Sequence, residues 1–170
     1  MHQLQPFFNV FLTQDTSVLE FFATFSRFEC ALKRARYVKK GAYGSAIPDW
    51  DSFANKASVQ LAALTDSAFT DAKLYLNSAP PQKQTFIESD RSMKWSPNTK
   101  RSGESEEQYL LRLVRDVRNN LFHGGKYPGP DGGRVDDTAL RNRQLLQACL
   151  AILDNCRRLD TNVEHFFDET

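Results

Sequence analysis

A chain of 170 residues with 41% hydrophobic and 25% charged residues has the make-up of one ordinary globular domain, long enough to bury a core, and not that of a disordered or fibrous protein. Its 22 basic and 21 acidic residues leave a net charge of +1, so any attraction to a polyanion must come from local patches. No run approaches the roughly 18 apolar residues of a membrane span. The opening MHQLQPFFNVFLTQD lacks the basic stretch and cleavage site of a signal peptide, so one cytoplasmic domain, 1–170, with no membrane partner is expected.

The first helix is expected from about Thr16 to Lys39, with Val18, Phe21, Phe22, Phe25, Phe28 and Leu32 forming an apolar stripe. On a helical wheel Glu29 falls inside that stripe, where a carboxylate needs a partner or partial hydration; a Glu29–Lys33 pair at the margin is the other reading. Between Arg27 and Lys40 six basic residues face one acid, whereas from Ala151 to the end five acids face two bases. Cys149 and Cys156, seven apart in a helical pattern, stand about 10 Å apart along the axis, too far for a disulfide. With Cys30 they are expected to be small buried hydrophobes in a reducing compartment.

Gly41, Gly44 and Pro48 interrupt the pattern, and Asp49 or Asp51 is placed to cap the next helix. Residues 51–77 look like two helices with a bend near Thr65–Asp66, ended by Ser78-Ala79-Pro80-Pro81. An irregular insertion, about 78–104, comes next, with a short helix expected near Thr85–Asp90 and Trp95 pinning the rest. Ser105-Glu106-Glu107-Gln108 is a capping box opening a helix that runs to about His123, where Gly124-Gly125 stop it. Its core stripe is Leu110, Val114, Val117 and Leu121. A Gly/Pro-rich loop, 124–135, precedes a last helix capped by Asp136 or Asp137, with a stripe of Leu145, Cys149, Ile152, Cys156 and Leu159. With no repeat and no convincing strand, the expected fold is an all-α, up-and-down bundle of four or five helices with a long irregular loop before the penultimate one.

The chemistry-bearing residues gather on that penultimate helix. Arg112, Arg115, Asn119 and His123 share the face opposite its core stripe, Asn119 stacks one turn from His123, and Arg118 lies about 140° from His123 on an ideal helix.

The run Arg118-Asn119-Asn120-Leu121-Phe122-His123 resembles the Arg-x4–6-His motif of the HEPN superfamily, in the Arg-Asn-x-x-x-His form found among its nucleases. A first helix reading Arg27-Phe28-Glu29-Cys30-Ala31-Leu32-Lys33-Arg34 adds to the likeness, which spans about Thr16 to Asp160 and is to the stand-alone, often plasmid-borne members. The resemblance implies a metal-independent endoribonuclease acting as a homodimer with a composite active site, often as a toxin or phage-defence effector with an antitoxin protein as partner. The residue chemistry suits this: RNA carries its own nucleophile, the 2′-OH, an imidazole exchanges protons near neutral pH, and a guanidinium matches a dianionic phosphorane.

His123 is accordingly assigned as general acid or base, Arg118 as transition-state stabiliser and Asn119 as the residue orienting His123 or the phosphate. Glu29 would support Arg118, and Arg112, Arg115, Lys126 and Tyr127 would bind substrate. Where some members carry a tyrosine two residues after the histidine, this chain has Gly125, its tyrosine being Tyr127. His2, His123 and His165 show no metal-ligand spacing, and the Gly-rich loop lacks the Gly-Lys-Ser/Thr of a nucleotide cradle, so neither metal nor cofactor is expected. The alternative function is a non-catalytic HEPN module binding RNA, a nucleotide or a protein through the same groove.

Overall fold

Helix α1 (Ser17–Arg34) forms because Phe21, Phe25, Phe28 and Leu32 recur on one side, and all four are buried. Glu20 in its first turn and Lys33 and Arg34 in its last suit the helix dipole. The computed structural model describes residues 16–122 and 135–169, with side chains for 16–121 and 140–169.

α1 ends at Arg34, short of the Lys39 that the periodicity predicts. Tyr37 N–H donates to the Leu32 carbonyl at 2.9 Å and Arg36 N–H to that of Lys33 at 3.2 Å, the double bond of a Schellman cap. Arg36, at φ 70°, holds the left-handed position usually given to glycine. The chain then turns into a small hairpin of β1 (Val38–Lys40) and β2 (Ala46–Pro48), with Lys39 opposite Ile47. Gly41 is required at its neck, since a Cβ there would meet Ser45 Oγ at 2.6 Å. Phe22, assigned to the core stripe, is 47% exposed, and Cys30, expected to be buried, is half-buried.

Asp49 caps α2 (Trp50–Lys56) by accepting from Ser52 N–H, as expected. The segment read as two helices contains three: α2, α3 (Ser58–Ala63) and α4 (Ser67–Ser78). The extra break is at Ala57, and Asp66 caps α4 through Phe69 N–H at 2.9 Å.

The stretch read as irregular is partly a hairpin. β3 (Lys83–Ile87) pairs antiparallel with β4 (Ser92–Ser96), where a short helix near Thr85–Asp90 is expected instead. Arg91 turns the chain at φ 56°, and Asp90 accepts from Ser92 N–H at 3.0 Å. Alternation in Ser92-Met93-Lys94-Trp95-Ser96 is the period-two signal that this pairing uses.

α5 (Glu106–Phe122) starts at the predicted capping box, with Ser105 N–H donating to Gln108 Oε1 at 2.9 Å and Gln108 N–H to Ser105 Oγ at 3.1 Å. α6 (Val135–Arg157) buries Leu145, Cys149, Ile152 and Cys156. It begins at Val135, so Asp136 and Asp137, expected just before the helix, lie within its first turn. A separate C-terminal helix, α7 (Thr161–Asp168), is capped by Asp160 through Asn162 and Val163 N–H. The protein is thus mostly helical, with seven α-helices among the described residues and two small antiparallel hairpins, rather than four or five helices alone. α1 packs on α6 and α7, α4 on α6, and α5 against α2, α4 and α6. No described helix is long and apolar enough to cross a membrane.

Candidate functional site at the exposed end of helix α5

The surroundings of α5 change along its length. Every residue from Tyr109 to Val114 is buried, Arg112 included at 6% exposure. From Arg115 onward one side of the helix stays in the core, with Val117 buried, whereas Arg115 and Arg118 are half-buried and Asn119 is exposed.

Arg112 is therefore not on an open face. Its Nε donates to Glu104 Oε1 at 2.6 Å and its Nη2 to Glu104 Oε2 at 2.8 Å and to the Thr99 carbonyl at 3.0 Å. Its Nη1 donates to Asn98 Oδ1 and, at 3.4 Å, to Asp116 Oδ2. A guanidinium has five N–H groups, so these five acceptors satisfy it. The hydrogen bond from Arg112 holds the Glu104 carboxyl below its usual range, and the same bond raises the guanidinium. Asn98, 1% exposed, completes the network by donating to Asp116 at 2.8 Å and accepting the Tyr109 hydroxyl at 2.7 Å on its carbonyl. Arg112 thus does not stand on the open face that its expected substrate-binding role needs: the loop 98–104 folds back over α5 and, together with Asp116, takes up all its donors.

Arg115 and Arg118 sit on an aromatic shelf. Trp50 stacks on Phe25 with centroids 5.4 Å apart and packs against Phe28 at 5.2 Å. The Arg118 guanidinium lies over the Phe25 ring, 5.7 Å from its centroid, and that of Arg115 over Trp50 at 6.0 Å. Glu29 Oε1 accepts from the indole Nε1 at 3.2 Å. Glu29 is thereby bonded to the ring over which Arg115 lies. Arg118 Nη1 also donates to Asn119 Oδ1 at 3.1 Å, coupling the two motif residues directly. His123, Lys126 and Tyr127 lie outside the described residues.

Beside Asn119 runs an open groove of about 270 Å³, lined by Lys83, Gln84, Asp116, Asn119 and Asn120. Asn120 Nδ2 donates to the Gln82 carbonyl at 2.6 Å, tying the foot of the β3–β4 hairpin to α5. Lys83, Gln84, Asp116 and Asn120 are not among the sequence candidates, because the groove exists only once the hairpin folds against the helix. Asp116, one turn before Asn119 and Asn120 on the same helix face, is the member that helical spacing could have found.

Three of the six residues of the N-terminal basic run are engaged elsewhere. Arg34 lies 4.4 Å over the Phe166 ring and pairs with Glu169 at 3.4 Å, Arg27 lies over Phe167 at 5.3 Å, and Lys39 bridges Asp49 and Asp51. A cavity of about 450 Å³ at that end is lined by Arg34, Ala35, Arg36, Asn162 and Phe166, with no residue of α5 among them.

The chain matches no family model, and comparison with curated proteins and with solved structures finds no match either.

Proposed function

We propose that the protein is a metal-independent endoribonuclease of HEPN type, active as a homodimer with a composite site, and serving as a toxin or defence effector that an antitoxin protein would restrain. The observation that carries this reading is the placement of Arg118: half-buried on the aromatic shelf, bonded to Asn119, in the partly exposed second half of α5. A guanidinium seated on a ring face and bonded to an amide is oriented for a planar, bidentate contact with a phosphate. His123 follows Asn119 by four residues, the spacing of stacked neighbours on a helix.

The reaction follows from RNA's own chemistry. The 2′-oxygen attacks the adjacent phosphorus while its proton passes to a base. The bond from phosphorus to the 5′-oxygen breaks, and that oxygen takes a proton from an acid. The products are a 2′,3′-cyclic phosphate and a 5′-hydroxyl. Arg118 of one protomer stabilises the charge that builds on the non-bridging oxygens, and His123 of the other acts as general acid or base, with water serving for the other proton transfer. Asn119 positions Arg118 as well as the phosphate, and Arg115 adds positive charge at the rim.

The test is incubation of the purified protein with mixed RNA and with DNA, with and without EDTA, beside a His123→Ala control. RNA cleavage that survives chelation, spares DNA and needs His123 is expected. Cleavage that requires an added divalent ion would overturn the mechanism.

A further inference from the structure

The groove beside Asn119 is lined by hydrogen-bonding groups whose roles the fold has already divided. Lys83 and Gln84 from β3 face Asp116, Asn119 and Asn120 from α5, and every lining residue is polar or charged. Two bonds decide which end of each asparagine is spent. A backbone carbonyl only accepts, so Asn120 meets Gln82 through Nδ2 and keeps Oδ1 as an acceptor. A guanidinium only donates, so Asn119 meets Arg118 through Oδ1, which joins the groove to the motif arginine. Asp116 spends Oδ2 on Asn98 at 2.8 Å and Arg112 at 3.4 Å and has Oδ1 left, its side chain being 23% exposed. Asp116 and Asn120 stand one turn apart on α5, so their two remaining acceptors are neighbours. Lys83 is exposed and makes no hydrogen bond or ion pair with a described residue, which leaves its ammonium as a donor.

We infer that this groove reads a guanine of single-stranded RNA beside the phosphate held at Arg118; the inference rests on the ribonuclease reading above and names its base preference. Single-stranded RNA offers the pairing edges of its bases to a protein. On guanine that edge carries two adjacent donors, N1–H and the 2-amino group, next to one acceptor, O6. Adenine and cytosine present a single donor group there, the amino group, and uracil presents only N3–H. Two neighbouring acceptors with a cation beside them therefore match guanine alone. Asp116 and Asn120 accept from N1–H and the amino group, and Lys83 donates to O6. A backbone phosphate suits the groove less well, because the Asp116 carboxylate would repel it. At about 270 Å³ the groove is smaller than the roughly 300–1,000 Å³ pockets of drug-sized ligands, so it suits one base rather than a whole nucleotide.

The test uses the full chain and fluorescein-labelled 2′-O-methyl RNAs of about 12 nucleotides, all uridine save one central guanosine, inosine or adenosine; their blocked 2′-oxygens cannot attack. Inosine lacks only the 2-amino group. The guanosine strand is expected to bind about tenfold more tightly than the inosine strand, the effect of one hydrogen bond to a charged group, and to exceed the adenosine strand by more. Mapped ends of cleaved mixed RNA should show guanine enriched at one position beside the cut. Asp116→Asn, whose amide offers a donor as well as an acceptor, should move the preference from guanine towards adenine, a change that lost stability alone would not produce. Lys83→Met, outside the Arg112 clamp, should narrow the guanine-to-adenine ratio about tenfold, and it decides the matter if Asp116→Asn does not fold. RNA cleavage without guanine bias, or with a bias that neither variant changes, would overturn the guanine site and leave the ribonuclease reading standing. Guanine-selective binding that depends on Asp116 and Lys83, without any RNA cleavage, would support the site and overturn the ribonuclease reading. Equal binding of the three strands, or no binding, would overturn the site.

Discussion

Arg112 and Glu104 meet in a two-point ion pair, Nε to Oε1 at 2.6 Å and Nη2 to Oε2 at 2.8 Å, with side-chain exposures of 7% and 10%. The pair clamps the segment before α5 onto the helix that bears the candidate site, and among the described residues no buried side-chain polar atom lacks a partner. Arg112 is thus engaged within the fold, whereas Arg118, less than two turns later, stands outside that clamp and is the arginine proposed for chemistry.

Replacing Arg112 by Ala strands Glu104, Asn98 and Asp116 without their donor. Breaking a buried pair from one side costs about 3 kcal/mol or more, and urea denaturation of Arg112→Ala should show a loss of that order. A variant as stable as wild type would mean that the clamp contributes nothing.

The same pair sets an acid limit. Glu104 is held below its ordinary value of 4.5 in the fold, so its contribution is fully present above 4.5 and lost as pH falls through the lower folded value. Asp49 and Asp160 are depressed too and add to the trend, both through their hydrogen bonds and against the opposing effect of burial, which is the largest single influence on each. Thermal melts below pH 4.5 should fall more steeply for wild type than for Glu104→Gln, and parallel profiles would contradict the assignment.

An alkaline limit comes from Tyr37. Its hydroxyl donates to Asp160 Oδ2 at 2.6 Å, and burial, with that bond and the aspartate's charge, pushes it up to about 12. The folded state thus favours the protonated phenol. The resulting stability is complete below the ordinary value of 10 and is lost as pH rises through about 12. Tyr37→Phe should lower stability at neutral pH by about 1 kcal/mol and flatten the loss above pH 10. An ultraviolet titration that shows all five tyrosines ionising together near 10 would disprove it.

For activity, Arg118→Ala and His123→Ala are each expected to slow RNA cleavage about 100-fold or more, the scale of charge-stabilising and general acid–base groups. Asn119→Ala should have a smaller effect. Arg118→Ala should also stay folded, because its side chain lies on the shelf and not in the core. Rates measured beside circular dichroism separate the two roles: an Arg118 variant that loses its fold would assign the residue to structure.

A composite site makes a prediction of its own. Mixing inactive Arg118→Ala and His123→Ala chains should yield heterodimers with one intact site and restore part of the activity. Light scattering at micromolar concentration should give twice the chain mass. Full activity from a monomer would defeat the dimeric arrangement.

Caps and stripes are legible in the sequence because they depend on residues three or four positions apart. The Ser105–Gln108 box, the Asp49 cap and the buried line Leu145, Cys149, Ile152 and Cys156 all stand where local spacing puts them. The early end of α1 is not legible, since Arg36 takes a left-handed position that nothing in its side chain announces. Nor is the β3–β4 hairpin: five-residue strands carry too short an alternation to stand out before their partner is known. A helical wheel puts Arg112 and Asn119 on one face but cannot say what covers it. Glu104 lies eight residues from Arg112 and Asn98 fourteen, and the chain brings both back over the first half of α5 while leaving Asn119 in the second exposed. That arrangement, made by contacts outside the helix itself, turns one arginine of the face into a clamp and leaves Arg118 half-buried beyond it.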